Sequence, residues 1–330
     1  MKKTLDIKLK KINSGKYSAK DFIIADAKDA DMGGGIPATG NNRDKSGVLL
    51  KTYKNLNGYL QAMEDMTKSK LIDILLMSAS SAEKLISKGV FKNSAVTTAI
   101  RMNDTTDIWN MRHGIYRNHF AEPFRTSTFK NIKKLSNLGL FSITFSRNID
   151  KDLNMLNAYR NFRKEAQEHK FRHFLEVFNS PVSIGLDIHE TGEYVNDCIL
   201  KTIAGQVKAE QPLFLKIQYN GPKAMEELAS YDPNNLIIGI LGGGKGTTMD
   251  CFELLSQANK YGARVALFGR KINLAESQKT IVKTMRKIIE GSLRAKEGVK
   301  YYHDQLKKLK IKSDRSLSED LQLTDPTLKL

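Results

Sequence analysis

Three ionisable side chains sit in apolar runs where an unpartnered charge would be costly: Lys216 in Leu213–Tyr219, Glu176 in Arg172–Phe178 and Asp26 in Phe22–Ala27. If these runs are strands, side chains alternate between two faces. Leu215 and Ile217 then share one face and leave Lys216 on the other with Phe214 and Gln218. Leu175 and Val177 likewise leave Glu176 opposite them. A desolvated lysine is a carbonyl nucleophile when its amine is free, and a neighbouring carboxylate can take and return its proton. Adjacent strands lie about 4.8 Å apart, so Glu176 and Lys216 become neighbours if their strands pair. Asp26 stands late in its own strand and is expected to join them as a second acid/base.

A second group of residues is suited to an anion. Ile238–Thr248 carries the run Gly242-Gly243-Gly244-Lys245-Gly246 between a strand and a helix. Glycines let backbone N–H groups approach an anion, and the helix start adds its positive end. Gly269 and Arg270 follow the last strand in the same way. A nucleotide P-loop is excluded: Gly239 to Lys245 has the Gly-x4-Gly-Lys spacing, but Gly246 stands where Ser or Thr is required. Arg101, Arg112, Arg117 and Arg125 offer a second anion site or lid contacts, although surface charge explains at least two of them.

The elements that must position these groups are read from hydrophobic periodicity. Eight short apolar runs alternate with amphipathic stretches: Phe22–Ala27, Ile72–Met77, Ala95–Arg101, Leu140–Ser146, Arg172–Phe178, Leu213–Tyr219, Leu236–Leu241 and Arg264–Phe268. This pattern predicts an α/β protein, a (β/α)8 TIM barrel, with a doubly wound open sheet as the alternative. Helices are predicted over Leu153–Lys170 and over Thr247–Tyr261, the latter stopped by Gly262. Extended loops are expected after strands one and three, at residues 28–58 and 102–130, on the end of a barrel where sites form. The barrel is assigned to residues 1–278, and a basic C-terminal helix with a disordered tail to residues 279–330.

Composition limits the function classes. The chain has 330 residues and a net charge of +17. Residues 1–20 hold seven Lys against one Asp, and residues 279–312 hold eleven Lys or Arg against three acidic residues. The excess therefore sits at two ends, read as solvated, on a near-neutral body, so nucleic acid is not the expected partner. No apolar run reaches the roughly 18 residues of a membrane span, and the start lacks a signal peptide's apolar segment. Cys198 and Cys251 are the only cysteines, which suits a reducing cytoplasm. The six histidines lack His-x-His or His-Glu-x-x-His spacing, so neither a metal nor another cofactor is expected.

The runs Phe214–Gly221, Gly242–Gly244 and Gly262–Arg270 resemble the class I aldolases of the deoxyribose-phosphate and archaeal-type fructose-bisphosphate superfamily, and Phe174-Leu175-Glu176 resembles the matching strand of class I tagatose-bisphosphate aldolases. The resemblance is strongest over residues 172–275. It implies a TIM barrel and a Schiff-base role for Lys216 on strand six. It also implies a carboxylate partner role for Glu176, acid/base work for Asp26, and phosphate binding by Gly242, Gly243, Gly269 and Arg270. The first strand departs from the family, ending Asp26-Ala27-Lys28 where Asp-His-Gly is usual, and no tyrosine matches the archaeal-type catalytic one. The implied activity is carbon–carbon cleavage or formation on a sugar phosphate, with no cofactor and with self-assembly as in related barrels. A Schiff-base transferase, a metal-dependent aldolase and a non-catalytic phosphometabolite-binding barrel are the alternatives.

Overall fold

A computed structural model describes residues 2–329. Its centre is a closed barrel of eight parallel strands: β1 (Ile23–Lys28), β2 (Ile74–Met77), β3 (Thr97–Arg101), β4 (Leu138–Phe145), β5 (Arg172–Asn179), β6 (Leu215–Ile217), β7 (Gly239–Leu241) and β8 (Val265–Phe268). Each strand pairs with its sequence neighbours, and β1 closes on β8 through Ile23 opposite Val265. The fold is thus the expected (β/α)8 barrel, and all eight apolar runs became its strands.

Two apolar clusters follow from alternation along these strands. One fills the barrel interior with Ile23, Ala25, Leu76, Ala99, Leu140, Phe174, Phe214 and Leu267. The Phe174 and Phe214 rings stack there with centroids 4.7 Å apart. The other cluster lies between the strands and the helices and takes the opposite parity, such as Ile24, Leu175, Leu215 and Ile240.

The N-terminal segment is not a solvated tail. It forms α1 (Thr4–Asn13), whose Leu5, Leu9 and Ile12 are spaced on one helical face and belong to the interior cluster. The lysines on its flanks bind the strand entrances. Lys3 Nζ donates to the Ser94 and Val96 carbonyls, at 2.8 and 3.0 Å. Lys8 Nζ donates to the Phe22 carbonyl and to Asp73, both at 2.9 Å. α1 therefore plugs the N-terminal end of the barrel, with part of its charge spent on carbonyls and carboxylates there.

The C-terminal region also differs from expectation. The basic stretch from 279 is two helices, α8 (Gln278–Ile289) and α9 (Ala295–Lys308), broken at Gly291, where φ is +76°. Ile281, Met285 and Ile288 of α8 share the cluster beneath the barrel's helices, so this layer continues through the 278/279 division. The tail is ordered rather than disordered. Asp314 binds Arg43 and Lys245, Asp320 is buried against His303, and Leu328 is buried. Its short polar side chains are used as acceptors and caps, which composition alone does not distinguish from solvation.

The other long helices surround the sheet: α2 (Leu56–Ser69), α3 (Ala79–Ser87), α4 (Ile149–Glu168), α5 (Ile188–Ala204), α6 (Pro222–Tyr231) and α7 (Thr248–Lys260). α4 begins at Ile149, earlier than the predicted Leu153, because Asn148 caps it by accepting from Lys151 N. The segments after β1 and β3 fold over the C-terminal end. The first carries a two-stranded ladder (Asn41–Arg43 with Leu49–Tyr53) and the second another (Asn103–Thr105 with Pro123–Arg125). Asn110 N donates to Gly33 O at 2.6 Å and ties the two together. Among the described residues no helix is long and apolar enough to cross a membrane.

Because Leu5 is fully buried in the interior cluster, Leu5→Ala is expected to cost about 2–5 kcal/mol. Chemical denaturation measures this. A loss below 1 kcal/mol, on the scale of a surface change, would show that α1 is not part of the core.

Candidate active site

β4, β5 and β6 present Ser142, Glu176 and Lys216 in one register row, all on the interior face. Lys216 Nζ pairs with Glu176 Oε1. Glu176 Oε2 accepts from Ser142 Oγ at 2.7 Å and from Arg101 Nη2 at 3.0 Å. Arg101 reaches the row from the end of β3, donating through Nε to Asp29 Oδ2 at 2.5 Å and through Nη1 to Ser142 Oγ at 2.8 Å. Asn103 holds the row in place: its Nδ2 donates to Ser142 O at 2.8 Å and its Oδ1 accepts from Ser142 N at 2.7 Å. Lys216, Glu176, Arg101 and Asp29 thus form one chain of alternating charge. They are only 6%, 1%, 4% and 6% exposed.

Burial by itself would raise the Asp29 carboxyl, but the Arg101 guanidinium and the Lys216 ammonium hold it below the usual carboxylate range. Arg101 is pulled upward by Asp29 and Glu176 against its own desolvation. Asp29 is therefore ionised at neutral pH.

Sequence reasoning placed Asp26, not Asp29, in this cluster. The structure sets Asp26 on the outer face of β1 with Ile24, fully buried, where Oδ1 accepts from Lys28 Nζ at 2.9 Å. Desolvation pushes Asp26 up and Lys28 down. The mistake has a physical origin: β1 is buried on both faces, so polarity alone cannot tell inward from outward. The missed signal was Lys28, two residues on and on the same face, which supplies Asp26 with a local partner. Ala25 and Ala27 then face inward and carry the phase on to Asp29. Arg101, expected to bind substrate anions, is instead saturated by two carboxylates and orients them.

Above the charged chain lies a cavity of about 660 Å³. Gly242, Gly243, Gly244, Gly269 and Arg270 all line it, as does Asn273. Gly243 has φ +62°, which favours glycine, and a side chain at Gly243 or Gly244 would meet nothing within 4 Å. The backbone of this turn is therefore open to the cavity.

The helix end expected to assist is already occupied by protein. Thr247 N donates to Asp250 Oδ2 at 3.0 Å, and Thr248 N donates to Asp320 Oδ1 at 2.8 Å. The start of α7 is capped by two carboxylates, one of them supplied by the tail, so these backbone N–H groups are not free to meet an anion. The tail also brings Asp325 and Thr327 to the cavity wall. Of the other arginines, Arg125 forms a two-pronged pair with Glu165, Arg112 lies 6.0 Å from the Tyr53 ring, and Arg117 lines the cavity. Among the described residues, no three His, Cys, Asp or Glu side chains are grouped to hold a metal ion.

Replacing Arg101 by Met leaves Asp29 and Glu176 buried without their shared cation, with an expected loss of about 3–5 kcal/mol near neutral pH. The pH dependence has a defined sign. A depressed Asp29 stabilises the wild type above its unfolded pKa of about 3.9, and that contribution is lost as pH falls through the lower folded value. Without Arg101 the folded value rises, so the stability gap should narrow as pH drops below about 4. Urea titrations across pH measure the gap, and a pH-independent difference would refute the assigned ionisation.

No protein-family model and no curated protein matches the chain. Solved structures do. An archaeal fructose 1,6-bisphosphate aldolase superimposes with a TM-score of 0.63 at 13% identity, over 87% of this chain and 99% of that one. A fructose-bisphosphate aldolase from Slackia heliotrinireducens gives 0.62 at 9% identity, over 92% and 90%. The Cgl0159 protein of Corynebacterium glutamicum gives 0.58 at 15% identity, over 88% and 93%. At this level of identity the likeness is one of fold: the chain is similar to the class I, Schiff-base aldolases in the architecture of its barrel.

Proposed function

We propose that this protein is a class I aldolase, a carbon–carbon lyase that cleaves or forms a phosphorylated ketose through a Schiff base on Lys216. The carrying observation is the Lys216–Glu176 pair at the floor of a cavity whose wall is the open glycine turn. A phosphate anchored at that turn, with Gly269 and Arg270 beside it, would hold the reacting carbons over the amine, turning remote binding into orientation.

In this mechanism the Lys216 ammonium passes a proton to Glu176, and the free amine adds to the ketose carbonyl carbon. Glu176 returns the proton to the carbinolamine hydroxyl, water leaves, and a cationic iminium remains. Cleavage follows when the Asp29 carboxylate takes the proton of the hydroxyl group on the far side of the scissile bond. That oxygen becomes the aldehyde, and the carbon–carbon bonding pair moves into the iminium to give a neutral enamine. The enamine then takes a proton on carbon from the acid so formed, and water releases the lysine. Asp29 suits the step because Lys216 is one of the cations that depress it. Neutralising the iminium removes that charge as the carboxylate must accept its proton. Arg101 keeps Asp29 and Glu176 apart and oriented throughout.

Incubation with dihydroxyacetone phosphate and borohydride should leave a covalent increment on the peptide carrying Lys216. Lys216→Ala should lose it. Asp29→Asn should still trap the ketone while cleavage falls by about 10²–10⁴-fold, whereas Asp26→Asn should affect stability first. An adduct on another lysine would sink the assignment, and saturable ligand binding without any adduct would instead favour a non-catalytic binding barrel.

A further inference from the structure

Arg117 and Arg270 line the same cavity from segments far apart in sequence. Arg270 follows β8 beside the glycine turn, and Arg117 lies on the excursion between β3 and β4. Among the described residues neither guanidinium has a carboxylate partner. Of the acidic residues of the wall, Asp29 and Glu176 pair with Arg101, Asp325 accepts from Thr327, and Asp107 accepts from the Thr144 hydroxyl through Oδ2 at 2.8 Å while its Oδ1 has no hydrogen-bond partner among the described residues. The two cations are close enough that Arg117 depresses Arg270 beyond the effect of desolvation. Two like charges facing one cleft repel, and an anion between them turns that repulsion into attraction.

Arg117 is exposed, and the turn that carries it is anchored by aromatic packing. Arg117 sits in a short turn, Tyr116–Asn118, and Tyr116 packs edge-on against Trp109 with centroids 5.1 Å apart. Phe124, on the ladder that closes the excursion, also packs edge-on against Trp109 with centroids 6.2 Å apart. The next residue, Asn110, is tied to Gly33 as described above.

We propose that Arg117 and Arg270 form a two-guanidinium clamp on a single phosphoryl dianion, which makes the β3–β4 excursion a specificity element of the site. The excursion thereby selects substrates bearing a doubly charged group at the end seated on the glycine turn, against carboxylate-bearing or uncharged analogues. This inference rests on the Schiff-base reading only for the identity of the reacting molecule; the clamp itself is an anion site and can be measured alone.

Trp109 is the only tryptophan in the chain and touches the turn that carries Arg117, so its fluorescence is the readout. Titration with inorganic phosphate should give a saturable change in the wild type. Arg117→Ala should weaken phosphate roughly 10- to 100-fold, and Arg117→Lys should recover only part of that, because an ammonium cannot offer the two-pronged geometry. Arg270→Ala should behave alike, and the double variant should lose less than the product of the two single losses, as for two groups on one ligand. Arg112→Ala, on the same excursion but facing Tyr53, should bind as the wild type does and shows that the excursion remains folded.

Two borohydride trapping arms separate this inference from the reaction. Arg117→Ala should trap dihydroxyacetone on Lys216 as the wild type does, but need more dihydroxyacetone phosphate for half-trapping. Unchanged phosphate affinity in Arg117→Ala, or no saturable phosphate signal in the wild type, overturns the clamp. Failure of the wild type to trap either ketone while the phosphate titration behaves as expected would overturn the imine reading and leave the clamp standing.

Discussion

Two acids and two bases sealed in a barrel are stable only as a closed alternating chain. Lys216, Glu176, Arg101 and Asp29 come from β6, β5, β3 and the end of β1, and each is almost free of solvent. Loss of any one leaves a charge without its counter-charge in a low-dielectric interior, where the penalty is several kcal/mol. The barrel must therefore deliver four side chains from four strands to one layer. The Ser142–Glu176–Lys216 register and the Asn103 bridge to Ser142 enforce this. Two cations against two carboxylates leave the chain with no net charge, so it needs no further counter-ion inside the barrel.

The rest of the molecule keeps the two ends of the barrel different. At the N-terminal end, α1 supplies Leu5, Leu9 and Ile12 to the interior core, and its lysines tie down the strand entrances. Asp73 gathers Lys8 and Arg286 at the same end, which places a residue of α8 in the same clasp. At the C-terminal end, the β1 and β3 excursions and the tail build walls around an open, polar cavity. The tail's Asp320 also takes over the start of α7. That helix end is therefore already paired, and the cavity wall beside it is the glycine turn with Gly269 and Arg270.

The eight strands were legible because each is a short continuous apolar run between helical stretches, the pattern of strands buried on both faces. Lys216 and Glu176 were legible for a related reason: in both strands the flanking Leu, Val and Ile residues set the phase, and the charge falls on the opposite parity. β1 offered no such phase. Ile23 and Ile24 are equally apolar, and Asp26 and Asp29 have opposite parity, so the choice depended on where Lys28 points. The tail and the basic N-terminus misled for another reason. Composition reports the number of charges, and the groups that meet them lie far off in sequence: Lys3 donates to the Ser94 carbonyl, and Asp320 accepts from Thr248 N.

By itself the sequence determined the barrel, the loops that lengthen its functional end, and the amine–carboxylate pair on its fifth and sixth strands, because these depend on local periodicity and on pairing between consecutive strands. Only the tertiary structure decided that Asp29 rather than Asp26 joins the pair, that Arg101 links them, and that Arg117 lines the same cavity as Arg270. Each of those outcomes depends on closing the barrel and folding distant segments over it. In that process burial and charge pairing between residues remote along the chain select among arrangements that are locally equivalent.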